Sequence, residues 1–264
     1  MAHLPDHTIT HDAGRVTVYL LHGIYGAKEY WRPLTRRLVA EGYRVIAWDA
    51  PGYGLSALDA NHSFDSVAEA GARLVRATAG ERNVIFGHSM GGQITPRLAG
   101  KVKDLVHAAV ITATIGYFGN RTPEEQAAFV KARSAPPPPG TSPLDAQLAL
   151  VNSMFGAGAS GPDVDVVRQV AMQTPPAAVQ ASVKAVQAYK DEDAVGALRA
   201  LHVPTLLVAG EVDKVGYAEG MRRLTALIPR SEFHVVSGAG HYPWAENPEE
   251  FTPILMQFLR QSVA

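Results

Sequence analysis

The chain alternates short apolar runs with longer segments whose apolar residues recur at helical spacing. Continuous apolar and β-branched runs are typical of buried strands, and apolar residues three or four positions apart are typical of amphipathic helices. The predicted strands are Val16–Leu21, Tyr43–Trp48, Asn83–Phe86, Leu105–Thr112, Thr205–Ala209 and Glu232–Val236. The predicted helices between them are Ala27–Glu41, Ser63–Thr78, Gly91–Ala99, Tyr217–Leu227 and Pro248–Leu259. This alternation predicts an α/β fold with a doubly wound, mainly parallel sheet.

One long segment interrupts the alternation. Between Ile115 and Gly196 no strand pattern occurs, and short helical patterns are separated by a tetraproline run and a glycine-rich stretch. The predicted helices here are Pro123–Ala132, Leu144–Phe155, Val164–Met172 and Ala177–Tyr189. We therefore expect residues 1–114 and 197–264 to form an α/β core, with residues 115–196 inserted as a helical cap. The run Pro136–Pro139 is interpreted as a stiff connector rather than a ligand for a proline-binding module.

Length and composition restrict the classes of function. The 264 residues are enough for one α/β domain with an insertion, and the formal net charge of −1 leaves no basic stripe for nucleic acid. The absence of cysteine excludes a thiolate nucleophile and a cysteine-based metal site. Met1–Gly14 lacks the pattern of a signal peptide, and no apolar run is long enough for a membrane span. We expect a cytoplasmic monomer or homodimer that acts on a small molecule, without nucleic-acid or membrane partners.

The end of the third predicted strand carries the first candidate for chemistry. The sequence Gly87-His88-Ser89-Met90-Gly91 stands between an apolar run and a helical pattern, which is the arrangement of a nucleophile elbow. The sharp turn pushes the serine hydroxyl out of the backbone, and small flanking residues make that turn possible. A serine is a weak nucleophile at neutral pH unless a base removes its proton. Ser89 therefore requires a base and an acid from elsewhere in the chain.

A base and an acid follow in the order that one parallel sheet presents them. His241 lies in a glycine-rich loop after the last predicted strand. Asp213 lies shortly after the preceding predicted strand, Thr205–Ala209. The loop after Thr112 has no carboxylate, and Glu211 is the nearest competitor of Asp213. We predict a catalytic triad of Ser89, Asp213 and His241, in which the aspartate orients the imidazole and stabilises its charged form.

Two backbone N–H groups are needed to stabilise the oxyanion that forms when a serine attacks a carbonyl group. Met90 follows the nucleophile directly and is predicted to supply one of them. The loop after the first predicted strand is predicted to supply the other from Ile24, with His22 bracing the loop by hydrogen bonds. The residues predicted to contact the substrate are Tyr25, His88, Tyr117, Phe118 and Trp244.

These motifs together resemble the α/β-hydrolase superfamily, in particular its small lidded members. The resemblance rests on His22-Gly23, Asp49–Ser56, Gly87–Gly92, Asp213 and Gly240–Pro248. It covers nearly the whole chain outside the predicted cap, and it implies a cap inserted after the sixth strand of the family. It also implies that Asp49 belongs to a structural turn. We predict no cofactor or metal, because the sequence has no G-x-G-x-x-G after a first strand, no His-Glu-x-x-His and no P-loop. Relatives often carry two strands ahead of the first strong one, but Met1–Arg15 has room for one.

The identity of the nucleophile narrows the function that the resemblance implies. Haloalkane dehalogenases and epoxide hydrolases of this fold carry aspartate at the elbow, and dienelactone hydrolases carry cysteine, so Ser89 argues against all three. We expect an enzyme that cleaves a carboxylic ester or lactone of a small, mostly apolar substrate through an acyl-enzyme. His88 favours this class over the carbon–carbon hydrolases of aromatic ring cleavage, which often carry asparagine there. Those hydrolases, a ligand-sensing receptor with little turnover and a cofactor-free oxygenase stay open as alternatives.

The predicted cap determines the substrate, and its sequence has no code that identifies it. Three of its arginines, Arg121, Arg133 and Arg168, could bind an acid group of the substrate. We interpret them as solvated surface charges, because long cationic side chains commonly lie along a surface with the charged end in water.

Overall fold

A computed structural model of the chain describes residues 3–11 and 13–263, so the predicted ends of the core, residues 1 and 264, lie outside it. The strands are β1 (His7–Thr10), β2 (Val16–Leu21), β3 (Arg44–Trp48), β4 (Arg82–His88), β5 (Ala108–Thr112), β6 (Thr205–Gly210) and β7 (Ser231–Val236). They form one seven-stranded sheet in the order β1-β3-β2-β4-β5-β6-β7. Strand β1 is antiparallel to β3, and all other neighbours are parallel. The predicted α/β fold with a mainly parallel sheet is confirmed.

Helices follow most of the strands of the sheet. The helices are α1 (Arg32–Ala40), α2 (Phe64–Thr78), α3 (Met90–Lys101), α4 (Pro123–Ser134), α5 (Pro143–Asn152), α6 (Pro162–Ala171), α7 (Pro176–Ala188), α8 (Asp191–Arg199), α9 (Ala218–Leu224), α10 (Pro243–Glu246) and α11 (Pro248–Val263). Short 3-10 helices cover Lys28–Trp31 and Phe118–Asn120. Within residues 3–11 and 13–263, no helix has the length and apolar character to cross a membrane.

The central strands are buried on both faces, which explains their continuous apolar sequences. Val18, Val84, Val110 and Leu206 lie in four adjacent strands, and all are inaccessible to solvent. The edge strand β1 is instead mostly exposed, and its sequence His-Thr-Ile-Thr has no apolar run. The apolar pattern therefore did not predict β1. The prediction that the residues ahead of β2 have room for one strand agrees with the structure.

The segment between β5 and β6 consists of helices α4 to α8 and one 3-10 helix, with no strand among its described residues. Four of the five α-helices overlap the predicted ones. The fifth, α8, was not predicted, because only Ala194 and Leu198 of its side chains are buried. It packs against α3, a helix of the core. Because β6 is parallel to β5, the chain must return from the carboxyl end of β5 to the end of the sheet where β6 begins, and α8 makes this return. The predicted end of the cap at Gly196 falls inside α8, so we propose an earlier end, before Asp191.

Candidate active site

Ser89 occupies the sharp turn between β4 and α3. Its backbone has φ 53° and ψ −111°, a conformation that costs free energy for any residue with a side chain. Hydrogen bonds to β5 and the loop after it stabilise the turn. The N–H of Ser89 donates to the carbonyl oxygen of Thr112 at 2.9 Å, and the hydroxyl of Thr114 donates to the carbonyl oxygen of Ser89 at 2.9 Å. The strand–turn–helix geometry predicted from the motif is therefore present.

The glycines of the elbow permit close contact between three backbone segments. A Cβ atom on Gly87 would overlap the carbonyl oxygen of Gly91, and one on Gly91 would overlap the carbonyl oxygen of Leu21 at the end of β2. The loop after β2 is consequently drawn against the elbow. At Gly23 in that loop, a Cβ atom would lie 3.0 Å from the Cβ of Ser89. This proximity brings the N–H groups of the loop beside the candidate nucleophile.

His241 and Asp213 form a buried pair. Nδ1 of His241 lies 2.9 Å from Oδ2 of Asp213, and the two residues are only 3% and 4% exposed. The other carboxylate oxygen, Oδ1, accepts the N–H of Val215 at 2.7 Å, so the aspartate is fixed on both sides. The backbone N–H of His241 donates to the carbonyl oxygen of Met154 at 2.9 Å. An imidazole that donates from Nδ1 carries its lone pair on Nε2, as a general base requires.

Ser89 and His241 line the same narrow cavity. Its free volume is about 20 Å³, enough for about one water molecule. One wall is formed by the loop after β2 and the start of α3. The other comes from the segment between β5 and β6, through Phe129, Arg133 and Met154. The structure therefore brings the candidate nucleophile and base together beneath the predicted cap.

Two backbone N–H groups at this cavity have no protein acceptor. Ile24 and Met90 both line it, and neither N–H donates to another atom of residues 3–11 and 13–263. Met90 is the first residue of α3, where an N–H has no intrahelical acceptor and the helix dipole favours negative charge. The neighbouring N–H of Gly23 is not available, because it donates to the hydroxyl of Tyr30 at 2.7 Å.

His88 connects the two loops that flank Ser89. Its Nε2 lies 3.0 Å from the carbonyl oxygen of His241, which can only accept, so Nε2 must carry the proton. Its Nδ1 then accepts a hydrogen bond from the hydroxyl of Tyr30, 2.9 Å away. Burial lowers the pKa of His88 well below its usual value, so the ring is neutral. Both ring nitrogens form hydrogen bonds within the protein, so neither is free to bind a substrate. His88 still lines the cavity, where its ring can contact a substrate only by packing.

Of the other residues predicted to contact the substrate, only Tyr25 lines the cavity. Trp244 is fully buried beneath the site, with its ring centroid 4.6 Å from that of Trp31. Phe118 packs edge-on against Phe129, at a centroid distance of 5.9 Å, and faces a separate depression. Tyr117 packs against the core. Apolar spacing does not distinguish the wall of a cavity from the core behind it, so Tyr117, Phe118 and Trp244 are removed from the candidate contacts.

His22 and Asp49 have the structural roles expected from the sequence. His22 donates from Nδ1 to the carbonyl oxygen of Gly23 at 2.8 Å, and its Nε2 accepts the N–H of Ala50 at 3.0 Å. Burial lowers the pKa of His22, which keeps this tautomer neutral. Asp49 binds the ammonium group of Lys28 at 2.5 Å and its backbone N–H at 2.8 Å. Both side chains thus brace loops and do not reach the cavity.

Glu246, for which we predicted no role of its own, holds the loop that carries His241. Its Oε2 accepts the N–H groups of Gly240 at 2.9 Å and Gly156 at 2.7 Å. Its Oε1 accepts the N–H of Tyr242 at 2.8 Å. Gly156 follows α5, so one carboxylate fastens both the segment between β5 and β6 and the loop of the candidate base. No sequence motif reveals such a role, because all three partners are backbone groups.

The sequence of the chain matches a known family model over most of its length. The model is described as the alpha/beta hydrolase family, and it matches residues 18–254. The chain belongs to the α/β-hydrolase family. A solved esterase from Thermogutta terrifontis has the same fold, with a TM-score of 0.80 and 25% identity over 98% of this chain and 94% of that one. The family predicted from the motifs is therefore confirmed.

Curated relatives include one of similar length and others that are much longer. The chain is 25% identical to the pimeloyl-[acyl-carrier protein] methyl ester esterase of Photorhabdus laumondii, over 96% of each protein. It is 29% identical to the polyketide synthase ThaQ of Burkholderia thailandensis, over 93% of this chain. The chain spans only 12% of that synthase. It also spans 23% of the protein ABHD8 of Bos taurus, to which it is 32% identical over 99 residues. Membership of a hydrolase family with esterase relatives follows from these likenesses.

Proposed function

We propose that the chain is a serine hydrolase that cleaves carboxylic esters or lactones of small, mostly apolar substrates. The observation that carries the proposal is the buried His241–Asp213 pair, 2.9 Å apart, in the same cavity as the strained turn of Ser89. The N–H groups of Ile24 and Met90 at that cavity add the donors that an oxyanion requires. The esterases among the relatives support the same reaction class.

The proposed reaction proceeds through an acyl-enzyme. His241 removes the proton of the Ser89 hydroxyl at Nε2 while Oγ attacks the carbonyl carbon, and the carbonyl oxygen becomes an oxyanion held by Ile24 and Met90. The carbonyl then re-forms, the bond to the leaving oxygen breaks, and His241 returns its proton to that oxygen. Water, deprotonated by the same nitrogen, attacks the acyl carbon and releases the acid and the free serine. Asp213 keeps the ring in position and stabilises its charged form during both steps.

A direct test labels the nucleophile and measures turnover. We expect a fluorophosphonate probe to label Ser89 and 4-nitrophenyl butyrate to be hydrolysed, with both reactions abolished in Ser89→Ala. Ser160→Ala, which changes an exposed serine between α5 and α6, is the matched control and keeps both. Residual turnover in a folded Ser89→Ala variant would overturn the proposal. A single burst of product without further turnover would instead favour a ligand-sensing protein. Rates measured on butyrate esters and on butyrolactones then distinguish an esterase from a lactonase.

A further inference from the structure

Two arginines of the segment between β5 and β6 flank one aromatic ring. The guanidinium carbon of Arg133 lies 3.8 Å from the ring centroid of Phe129, and that of Arg121 lies 5.3 Å from it. Within the described residues, no carboxylate forms an ion pair with either arginine; Glu125 and Asp213 act on them only at longer range. Two like charges beside one ring repel each other, so an anion between or beside them would be strongly attracted.

Arg133 stands where the catalytic cavity meets a larger cleft. It lines the cavity of Ser89 and also an outer cleft of about 620 Å³ between α4, α5 and α7. Among the described residues, Tyr25 is the only other one that lines both, so Arg133 and Tyr25 form the neck between the two spaces. The side chain of Arg133 is half-buried, and its Nη1 donates to the carbonyl oxygen of Phe129 at 3.2 Å. Its other N–H groups have no acceptor among the described residues.

The neck and the outer cleft have a positive electrostatic character. No acidic side chain lines either space in the described part of the chain, whereas Arg133 and Lys184 do. The whole chain has a formal net charge of −1, so this concentration of positive charge is local. Burial lowers the pKa of Arg133 to about 10, so its guanidinium is still charged at neutral pH. A partly desolvated cation of this kind binds anions more strongly than one in bulk water.

We propose that Arg133 binds an anionic group of the substrate at the neck, so that the esters preferred by this chain carry a carboxylate or phosphate near the scissile carbonyl. The inference rests on the proposed function and specifies its substrate class. The sequence alone favoured a solvated surface charge for Arg133, and the stacking and the position at the neck argue against that interpretation. An ester with its anion at Arg133 has its reacting carbonyl in the cavity of Ser89 and the rest of its chain in the outer cleft.

The test compares two 4-nitrophenyl esters with acyl chains of equal carbon number, one charged and one neutral. The monoester of glutaric acid carries a terminal carboxylate, and 4-nitrophenyl pentanoate is its neutral counterpart. We expect the wild type to prefer the charged ester roughly 10- to 100-fold in kcat/KM, because hydrogen bonds to charged groups have this strength. Arg133→Gln should lose the preference through a higher KM for the charged ester, so that the ratio of the two kcat/KM values falls towards one. Arg133→Lys should retain part of it, and the control Arg168→Gln all of it.

Further arms identify the anion and separate the two proposals. Competitive inhibition by glutarate but not by inorganic phosphate would assign a carboxylate, and the reverse would assign a phosphate. Equal kcat/KM values for the two esters in the wild type, or an equal loss for both in Arg133→Gln, would overturn the inference and leave the proposed function intact. If no ester is cleaved, calorimetry of both anions with Ser89→Ala still decides the matter: binding that Arg133→Gln abolishes supports the anion site, and the absence of binding refutes it.

Discussion

The hydroxyl of Tyr30 lies 2.9 Å from Nδ1 of His88, and this contact joins the two sides of the candidate active site. The same hydroxyl accepts the N–H of Gly23 in the loop after β2. His88 in turn donates to the carbonyl oxygen of His241 in the loop after β7. The loop with the proposed oxyanion donor and the loop with the proposed base are thereby held by one continuous set of hydrogen bonds. All of its polar atoms are buried, so the loss of one leaves a neighbour unpaired.

Removal of the Tyr30 hydroxyl should reduce both stability and turnover. In Tyr30→Phe the N–H of Gly23 and Nδ1 of His88 lose their partner, which should cost about 1–3 kcal/mol in the free energy of unfolding. The loop of Ile24 also loses its anchor, so we expect kcat for 4-nitrophenyl butyrate to fall roughly tenfold. Tyr19→Phe removes a hydroxyl bonded to Thr78, remote from the site, and serves as the control. If both variants lose stability and neither loses kcat, the network has no role in positioning.

Asp213 and its sequence competitor Glu211 should differ sharply in their effects. Asp213→Asn preserves the shape of the buried pair but offers an amide to Nδ1–H, so we expect kcat to fall by roughly 10³- to 10⁴-fold. Glu211 instead accepts the N–H of Gly238 on an exposed surface, and Glu211→Gln should retain nearly full turnover. Steady-state kinetics of the two variants check this. Comparable losses in both would remove Asp213 from its assigned role.

Glu246→Gln should disturb the loop of the proposed base without touching the substrate. One carboxylate oxygen becomes an amide nitrogen that faces backbone N–H donors, which we expect to cost about 1–3 kcal/mol in the free energy of unfolding and to lower kcat. The control Glu250→Gln changes a carboxylate that accepts the N–H of Ser237 on the exposed side of the same loop. Urea unfolding and kinetics measured together on both variants decide the matter. A stable Glu246→Gln variant with unchanged kcat would contradict this role.

The buried neutral histidines should make the fold sensitive to mild acid. The folded-state pKa of His22 and His88 is lowered, for each chiefly by burial, so below about pH 6.5 the unfolded chain binds protons that the folded chain does not. Stability should therefore fall between pH 7 and 5, by up to about 1.4 kcal/mol per pH unit for each histidine. His88→Gln, which can still donate to the carbonyl oxygen of His241, should reduce the slope. Urea midpoints at pH 7, 6 and 5 test this, and an unchanged slope would be inconsistent with a neutral His88.

The parts of the candidate site that the sequence predicted are those with a local backbone requirement. Ser89 needs an elbow with glycines on both sides, and Asp213 and His241 each follow a strand in an order that one sheet dictates. Tyr30 and Glu246 have no such local signal. Tyr30 lies 58 residues from His88, and Glu246 lies 90 residues from Gly156, so their roles arise only when the chain is folded.

The same distinction holds for the fold. Strands buried on both faces have unbroken apolar sequences and were found, whereas the exposed edge strand β1 and the weakly buried helix α8 were not. Trp244 illustrates the opposite error, since a large aromatic residue close in sequence to His241 lies in the core behind the site. Proximity to His241 along the chain does not indicate whether a side chain points into the cavity or into the core.

The hydrogen bond between Gly156 and Glu246 sets a condition for replacing the segment between β5 and β6 with a foreign one. A foreign segment between β5 and β6 would have to supply a backbone N–H at the position of Gly156 and a carbonyl oxygen at that of Met154. Without them, Glu246 and the N–H of His241 would each lose a partner, and the proposed base would lose its alignment even with its own loop unaltered. Exchanges confined to α4 and α7, which line the neck and the outer cleft, leave this junction intact. If the proposed function holds, those two helices are the place to change substrate range by substitution.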